Sequence, residues 1–543
     1  MSQSSEEAPT GPITGGPAQQ TAAGPPPAGA PARQRNIVAD LTAAVLLLLA
    51  PLLPWNLYFG IAIPDSNTTV FAVLIAVTLL SLIAIALPGS GRTTRGVRLA
   101  LNAPYLLLVL AFVGFDVFET VRFGGTVTVP GGVGPGAWLG VAGALLSTQS
   151  TSNTTAADDD TSDGRQRSAQ IIGYVSMLAA ALSFGFTLYW RVKYALGDSA
   201  GFGKQNIAVI TTAAVYGLVA FIAVLVASRW LLRGTRATRL ATIALGASTL
   251  VAGVVVWFLP AGRDIDAFHG IAQNTSTAGV GFEGYLAWAA AAAIFVPRTL
   301  FGRARTLSSE EGAWRAAART GLLLIIVWCL GSVAMRITDL AVAVSLDYPY
   351  SRYDSVVLAA FDVATAALAI WLRIKLGDGS VSARLITTLC GLVATLSISR
   401  VIVGVVLAPR FLEAPNAGAP NPVYGNDLAQ QITSTFDVAL AALSLCILVA
   451  AVITGHFTRR RLRRRAARKR AVAENAHAPT TRIPTAAAPP SAAETTRIHT
   501  GESPTTAIPL LAGSPRIFRG DDSATGQIPV AKPQIYRPPQ NPS

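Results

Sequence analysis

Five charged residues lie inside apolar segments in the last third of the sequence. In such segments a charged side chain either takes part in binding or catalysis or forms an ion pair with another side chain. The five residues are Arg336, Asp339, Asp362, Arg400 and Asp437. A charge placed in hydrocarbon costs from about 2.5 kcal/mol upward, so such side chains face protein or a water-filled cavity. Buried carboxylates and guanidinium groups bind protons or substrate anions, or they pair and fix which helices pack together. The sequence is compatible with both roles.

A duplicated hairpin carries most of these charges. Residues 361–368 read FDVATAAL and residues 436–443 read FDVALAAL, so seven of the eight positions are identical. Arg336 and Arg400 precede them at similar depths in their own apolar segments. Each arginine can pair within its own hairpin or across to the other one. Asp339, which lies one helical turn from Arg336, can also satisfy that arginine locally.

A second acidic pair, Asp116 and Glu119, shares a helix face near the outer end of the third apolar segment. We interpret it as interfacial, with Arg122 as partner. Asp40, early in the first apolar segment, is interpreted as a residue of the inner edge.

Neither catalysis nor metal binding is indicated by the cysteines and histidines. The cysteines, Cys329, Cys390 and Cys446, lie in apolar segments without a CxxC spacing or a histidine cluster nearby. We interpret them as small core residues. No catalytic set, cofactor or metal site is therefore predicted.

The elements that position the charges follow from the composition. With 51% hydrophobic and 13% charged residues, the chain is too apolar for a soluble protein of 543 residues. A helical span needs about 20 apolar residues, and an open strand in lipid would leave its amides unpaired. The predicted fold is therefore an all-α polytopic bundle of about twelve spans. These are 37–59, 70–87, 99–121, 133–148, 170–190, 206–228, 240–260, 283–297, 320–346, 354–372, 385–408 and 431–455.

The fourth and eighth spans are short and rich in Ala and Gly, and each follows a Gly-Val-Gly sequence. Either can be re-entrant. Crossing is favoured by the positive-inside rule, because removing one of them would invert all later loops and reverse their charge bias. Inside loops are rich in arginine, such as Arg229, Arg233, Arg236 and Arg239, whereas outside loops are poor in it.

The two ends of the sequence are polar and rich in Pro, and they are predicted to be disordered and cytoplasmic. No secretory signal is expected at the start, since about 35 polar residues precede the first apolar segment. The basic run 459–470 follows the last span and fixes its inside end, with attraction to anionic lipids as a second role. Nucleic acid is not an expected partner, because the net charge of +14 comes mainly from inside loops and this run, without interleaved aromatics.

A threonine phrase recurs in the last part of the sequence, as in 480–484 (TTRIP) and 495–499 (TTRIH). Such phrases in a Pro-rich segment are typical of short linear motifs, although a biased linker has the same composition. Phosphate on threonine would add charge near the basic run. The candidate phosphorylation sites are Thr481, Thr496, Thr506 and Thr525.

The high Ala and Arg content, the preference for Arg over Lys, this threonine-rich tail and the sequence GKQNIAVI at 203–210 resemble actinobacterial, mycobacterial-type integral membrane proteins of unknown function. The resemblance implies a bacterial cytoplasmic membrane, a Ser/Thr protein kinase acting on the tail, and forkhead-associated domains as readers. It implies no active site.

Three functions fit these features. Paired intramembrane charges and hairpin repeats favour an ion-coupled transporter or a lipid flippase. The tail favours a cell-envelope scaffold regulated by threonine phosphorylation. A lipid-linked glycosyltransferase-like enzyme is disfavoured, because its first outer loop would need an acidic pair and contains only Asp65.

The sequence thus predicts five parts. They are a disordered tail at 1–36, eight spans at 37–319, the duplicated module at 320–458, the basic anchor at 459–470 and a disordered Pro/Thr-rich tail at 471–543.

Overall fold

The protein is built from helices, as expected for a chain whose peptide groups must bond within their own segment in lipid. The computed structural model describes residues 37–56, 59–61, 63, 65–87, 92–123, 132–149, 159–197, 201–258, 282–300, 307–347, 352–378, 380–412 and 435–477. Over these ranges it is almost entirely helical and has no β-strand. The prediction of an all-α fold is confirmed for this part of the chain.

The α-helices of the described ranges follow one another along the chain. They are α1 (Ile37–Leu49), α2 (Thr68–Ala86), α3 (Arg92–Arg122), α4 (Pro135–Ser147), α5 (Asp159–Leu196), α6 (Lys204–Leu232), α7 (Arg236–Phe258), α8 (Ala287–Leu300), α9 (Leu307–Leu346), α10 (Arg352–Gly377), α11 (Ala383–Leu412) and α12 (Thr435–His477). A 3-10 turn, Ala50–Leu52, extends α1, and a π-helical turn, Phe282–Leu286, leads into α8.

Nine helices in the described ranges are long and apolar enough to cross a membrane: α2, α3, α5, α6, α7, α9, α10, α11 and α12. Three apolar helical segments are shorter, namely Ile37–Leu52, Pro135–Ser147 and Gly284–Pro297. The chain is therefore a multi-pass helical membrane protein. The helical bundle belongs to the first of two units of the chain, and this unit ends at Ala471.

Several helices continue past their apolar part, and this corrects one feature of the predicted topology. Arg98, Arg229 and Arg315, which the sequence placed in inside loops, belong to α3, α6 and α9. Arginine is a good helix former, so a helix that leaves the hydrocarbon need not stop there. We call the helix ends that carry these arginines, together with Arg373 and Arg384, the basic end of the bundle.

The fourth and eighth segments form the interior of the bundle. Every residue of α4 except Leu145 is buried, and so are Trp288 to Phe295 of α8. With 13 and 14 residues, these helices are about 20 Å long, less than the roughly 30 Å of a hydrocarbon core. Their small residues let the longer helices approach closely around them.

The chain before α4 approaches another loop so closely that only glycine fits. The amide of Gly134 donates to the carbonyl of Trp55 at 2.6 Å, and that of Gly136 donates to the carbonyl of Pro54 at 2.9 Å. A Cβ on Gly134 would lie 2.7 Å from the Pro54 oxygen. The first amides of α4, which have no partner within the helix, are thus satisfied inside the protein.

Helix α7 packs against both interior helices through glycines. A methyl group on Gly246 would clash with the Cβ of Ala292 and would lie 2.5 Å from the carbonyl oxygen of Trp288. One on Gly253 would lie 2.7 Å from the ring of Trp138. Gly246 therefore sets how closely α7 approaches α8.

We expect Gly246→Ala to lower the stability of the detergent-solubilised protein, because the new methyl group meets backbone that cannot rotate away. Overpacking of this kind costs about 1–3 kcal/mol. The measurement is the thermal midpoint by fluorescence-detected size-exclusion chromatography. Gly391→Ala in α11 is the matched control, since its Cβ would meet nothing within 4 Å. Equal midpoints for the two variants would show that α7 and α8 are not tightly packed.

Candidate functional site

Arg400 of α11 lies between two carboxylates from two other helices. Its Nε is 3.0 Å from Oδ1 of Asp362 on α10, and its Nη1 is 2.6 Å from Oδ2 of Asp437 on α12. All three side chains are at most 6% exposed. The structure thus combines the two pairings that the sequence left open for this arginine, because Arg400 contacts the aspartate of its own hairpin and that of the other hairpin.

Two side chains of α9 complete this arrangement. The Ser332 hydroxyl donates to Oδ2 of Asp362 at 2.6 Å and accepts from Nη2 of Arg400 at 3.1 Å. The indole Nε1 of Trp328 donates to Oδ1 of Asp437 at 2.6 Å. Each of the four carboxylate oxygens therefore faces a donor. We call Trp328, Ser332, Asp362, Arg400 and Asp437 the charge cluster.

Sequence reasoning missed Trp328 and Ser332. A signal was present, because the two are four residues apart and Ser332 is again four residues before Arg336, so all three share one face of α9. This spacing is enough to place Trp328 and Ser332 in the same candidate site as Arg336. What the spacing does not give is the partner of each side chain on the other helices.

Arg336 and Asp339 form a second group on α9, farther along the helix. Nη1 of Arg336 lies 3.7 Å from Oδ2 of Asp339, which is the local pairing that the sequence allowed. The hydroxyl of Tyr216, on α6, lies 2.8 Å from both oxygens of Asp339. This contact joins the duplicated module to the first eight helices, and no sequence signal pointed to Tyr216.

The charges of the two groups do not cancel. Arg336 and Arg400 carry two positive charges, while Asp339, Asp362 and Asp437 carry three negative ones when ionised. All five residues are buried. The formal sum over these five side chains is −1, and each charge depends on its partners in the protein because solvation is poor at this depth.

A series of aromatic rings connects the charge cluster with the interior helices. Phe436, next to Asp437, packs edge to face on Trp328 with centroids 4.7 Å apart, and it lies 5.7 Å from Trp288 of α8. Tyr285, in the turn before α8, is 6.5 Å from Phe436 and 4.7 Å from Trp138 of α4. These rings are buried and keep the surroundings of Asp437 apolar on that side.

A polar group that the sequence did not predict lies at the basic end of the bundle. Arg98 of α3 is 3% exposed, lies 3.6 Å from Asp40 of α1 and donates to the carbonyl of Leu87 at 3.1 Å. Nearby, Ser147 at the end of α4 donates to Asn102 at 2.7 Å. Asp40 thus lies at the basic end of the bundle, where it helps to hold the ends of α1, α2 and α3 together.

The two residues of the predicted outer-edge acidic pair occupy different environments. Asp116 is 1% exposed, whereas Glu119 pairs with Arg122 at 3.7 Å on the surface of α3. The structure therefore gives them no shared site. Asp65, the acidic residue of the first outer loop, is exposed and has φ of 64°, as expected of a turn residue.

Some predicted sites fall where the structure makes no statement. The four candidate phosphorylation sites, Thr481, Thr496, Thr506 and Thr525, lie outside the described residues. So does the predicted tail at 1–36. For the basic run 459–470 the structure gives the backbone, which continues the helix of α12.

A model of a protein family, described as a domain of unknown function (DUF7937), matches residues 36–456. The chain belongs to the DUF7937 family. The matched segment begins one residue before α1 and ends one residue after Gly455, so it contains the whole charge cluster and stops short of the basic run. Comparison with curated proteins and with solved structures gives no match.

We expect Arg400→Gln to be the most destabilising single change in the charge cluster of this DUF7937 segment, since it leaves two buried carboxylates without their cation. Removing one partner of a buried pair costs about 3–5 kcal/mol. Adding Asp437→Asn, and then Asp362→Asn, should recover stability stepwise as the excess charge falls. The free energy of unfolding in a detergent–SDS titration measures this series.

Arg384→Gln is the matched control, because Arg384 is an exposed arginine at the start of the same helix. It should change the free energy of unfolding by less than about 0.5 kcal/mol. If Arg400→Gln behaves like this control, or if the aspartate substitutions deepen the loss, the ion pairs do not stabilise the bundle.

Proposed function

We propose that the protein is a proton-coupled secondary transporter and that the charge cluster is its proton-binding group. The observation that carries the proposal is that two buried carboxylates, Asp362 and Asp437, share the guanidinium group of Arg400. One proton on Asp362 or Asp437 makes the group neutral. A metal cation needs several free oxygen ligands, whereas the four oxygens of these two aspartates already face Arg400, Ser332 and Trp328.

Proton binding would change how the two hairpins are joined. With Asp437 protonated, the charge of Arg400 is balanced by Asp362 of the other hairpin; with Asp362 protonated, it is balanced by Asp437 of its own. The guanidinium can thus favour either of two helix contacts, and a transporter needs two arrangements whose populations an ion shifts. The transported substrate is a solute or a lipid.

Other titratable groups lie near the charge cluster. Cys329 of α9 is buried beside the three charged members. Tyr216 approaches from α6 through Asp339, and Tyr285 approaches from the turn before α8 through Phe436.

The proposed topology has twelve crossings, with both ends of the sequence in the cytoplasm of a bacterial cell and the bundle in its cytoplasmic membrane. The nine long helices are supplemented by α1, which exposes apolar side chains on one face, and by α4 and α8, whose interior position shields their shorter apolar lengths from lipid. The arginines of the basic end support this orientation by the positive-inside rule. On this proposal the charge cluster lies in the outer half of the bilayer.

The test is proton movement in proteoliposomes that contain a trapped pH-sensitive dye. With a pH gradient and a panel of solutes and lipid analogues, wild-type protein should acidify the lumen when its substrate is present. Asp362→Asn and Asp437→Asn should each abolish this signal, because the net charge is then already zero and no proton is needed.

Glu119→Gln is the matched control, since Glu119 is an acidic residue of a membrane helix that lies outside the charge cluster and should keep the wild-type signal. Infrared difference spectra of the purified protein give a readout that needs no substrate. The band of a buried protonated carboxyl should be seen in the wild type and lost in the variants Asp362→Asn and Asp437→Asn. Wild-type spectra without such a carboxyl would refute proton binding.

A second function, a cell-envelope scaffold, is favoured by the fact that each oxygen of Asp362 and Asp437 faces a donor, as in ion pairs that serve packing alone. The proposal is that a Ser/Thr kinase phosphorylates the threonine phrases and that forkhead-associated domains bind them. Anionic lipids near the basic run are part of the same proposal.

Truncation after Arg470 separates the two functions. A scaffold should lose its function in cells although the truncated chain is inserted and stable, whereas a transporter should keep its activity in proteoliposomes. Phosphoproteomics of the full chain, with affinity capture on tail peptides synthesised with and without phosphate on Thr481 and Thr496, reports the partners. Unphosphorylated threonines and equal capture by both peptides would exclude the scaffold.

A further inference from the structure

A cleft opens between α9, α11 and α12 at the basic end of the bundle. It is shallow and open: the space of about 230 Å³ includes the solvent at its mouth, and only about 10 Å³ of it can hold the centre of a water molecule. Trp314 and Arg315 of α9 form one wall, and small residues, Ala383 of α11 with Ala451 and Gly455 of α12, leave the space opposite. The cleft belongs neither to the charge cluster nor to the polar group around Arg98.

Two hydrogen-bond donors in the wall of the cleft have no acceptor among the described residues. They are the indole Nε1 of Trp314 and the Nε of Arg315, and both atoms are buried. The rest of the Arg315 guanidinium is engaged, with Nη2 at 3.0 Å from Glu311 and Nη1 at 3.4 Å from the carbonyl of Asp378. A buried donor without an acceptor is unfavourable, so these two atoms indicate a missing acceptor.

The charge around the cleft suits an anion. Exposed or half-buried basic side chains lie at the same end of the bundle on three helices: Arg319 of α9, Arg373 and Lys375 of α10, and Arg384 of α11. Of the acidic residues at this end, Glu311 lines the cleft, and Asp378, which is exposed, offers its backbone carbonyl to Arg315. The nine basic residues of the run 459–470 follow in the continuation of α12.

The position of the cleft along the helices matches the level of lipid headgroups. Ala451 is still in the apolar part of α12, whereas Gly455 is followed closely by the basic run. Outside the cleft, Leu385, Val452 and Ile453 are exposed apolar side chains that acyl chains can cover. Tryptophan at this level is typical of a membrane interface.

We propose that the cleft binds the headgroup of an anionic phospholipid, whose phosphate oxygens accept from Trp314 and Arg315 after these two side chains turn toward the cleft. Glu311 is the competing carboxylate on Arg315. It is 38% exposed, so its side chain can turn to solvent and free the guanidinium for a second bond to phosphate. Basic pockets between membrane helices bind anionic headgroups by this chemistry. The site is independent of the proposed proton-coupled transport.

Native mass spectrometry of the full-length, detergent-solubilised chain tests the site. Wild-type protein titrated with phosphatidylglycerol should retain one lipid more tightly than it retains phosphatidylcholine. Arg315→Gln should weaken phosphatidylglycerol binding about fivefold, the effect of about 1 kcal/mol per basic group at the interface. Arg229→Gln is the matched control: it removes an exposed arginine at the basic end of α6, a helix that does not line the cleft, and affinity should stay within about twofold.

Two further variants separate the cleft from its surroundings. Trp314→Phe keeps an aromatic ring at this position but removes the indole N–H donor. It should weaken binding of phosphatidylglycerol and leave the thermal midpoint of the lipid-free protein unchanged. Glutamine in place of the arginines at 459–461 and 463–465 should leave the one tight lipid bound. Loss of that lipid in this variant, with no effect of Arg315→Gln, would place the binding on the basic run and overturn the proposal.

Inorganic phosphate and glycerol 3-phosphate, used as soluble competitors, distinguish the lipid from a free anion. We expect neither to displace phosphatidylglycerol at equal concentration, because the acyl chains contribute to binding. If either displaces it fully, the cleft is a site for a soluble phosphate and not for a lipid. Equal retention of phosphatidylglycerol and phosphatidylcholine by wild-type protein would also overturn the proposal.

Discussion

A guanidinium group in hydrocarbon cannot be satisfied by solvent, so the protein has to surround it with acceptors. Arg400 meets this demand with carboxylates from two helices and a hydroxyl from a third, and Trp328 then satisfies the remaining oxygen of Asp437. Four helices are thereby fixed in relative rotation and height by one side chain. Because an ion pair broken in this setting leaves a buried charge, small displacements of these helices are strongly opposed.

The interior helices meet a different constraint, which is close approach. Helix α4 has no room for a side chain at Gly134, and α7 has none at Gly246, since backbone oxygens occupy the space. Aromatic rings fill the region between these tight contacts and the charge cluster, with Phe436 touching both Trp288 and Trp328. Dispersion between large rings thus joins a part of the bundle that has little charge to the part that has most of it.

Helical class, the positions of the apolar segments and the charged residues of the last four helices were predictable, because each depends on local composition. The sequence predicts a loop at Arg98, because hydropathy indicates where the lipid ends and does not indicate where a helix ends. The pairings of Arg400 and the contact of Tyr216 with Asp339 were not predictable: they depend on the rotation of separate helices, which apolar helices without a strong polar face do not encode. The burial of Asp116 was not predictable from the sequence for the same reason.

The order in which the charge cluster can form during synthesis follows from its members' places in the chain. A bacterial or eukaryotic ribosome delivers α10 before α11, and α11 before α12, so Asp362 leaves the insertion machinery ahead of the arginine that it contacts. Arg400 then has one carboxylate until Asp437 arrives. A nascent chain that stops short of the last helix therefore holds an unbalanced guanidinium or exposes it, which gives membrane quality control a chemical mark by which incomplete copies differ from finished ones.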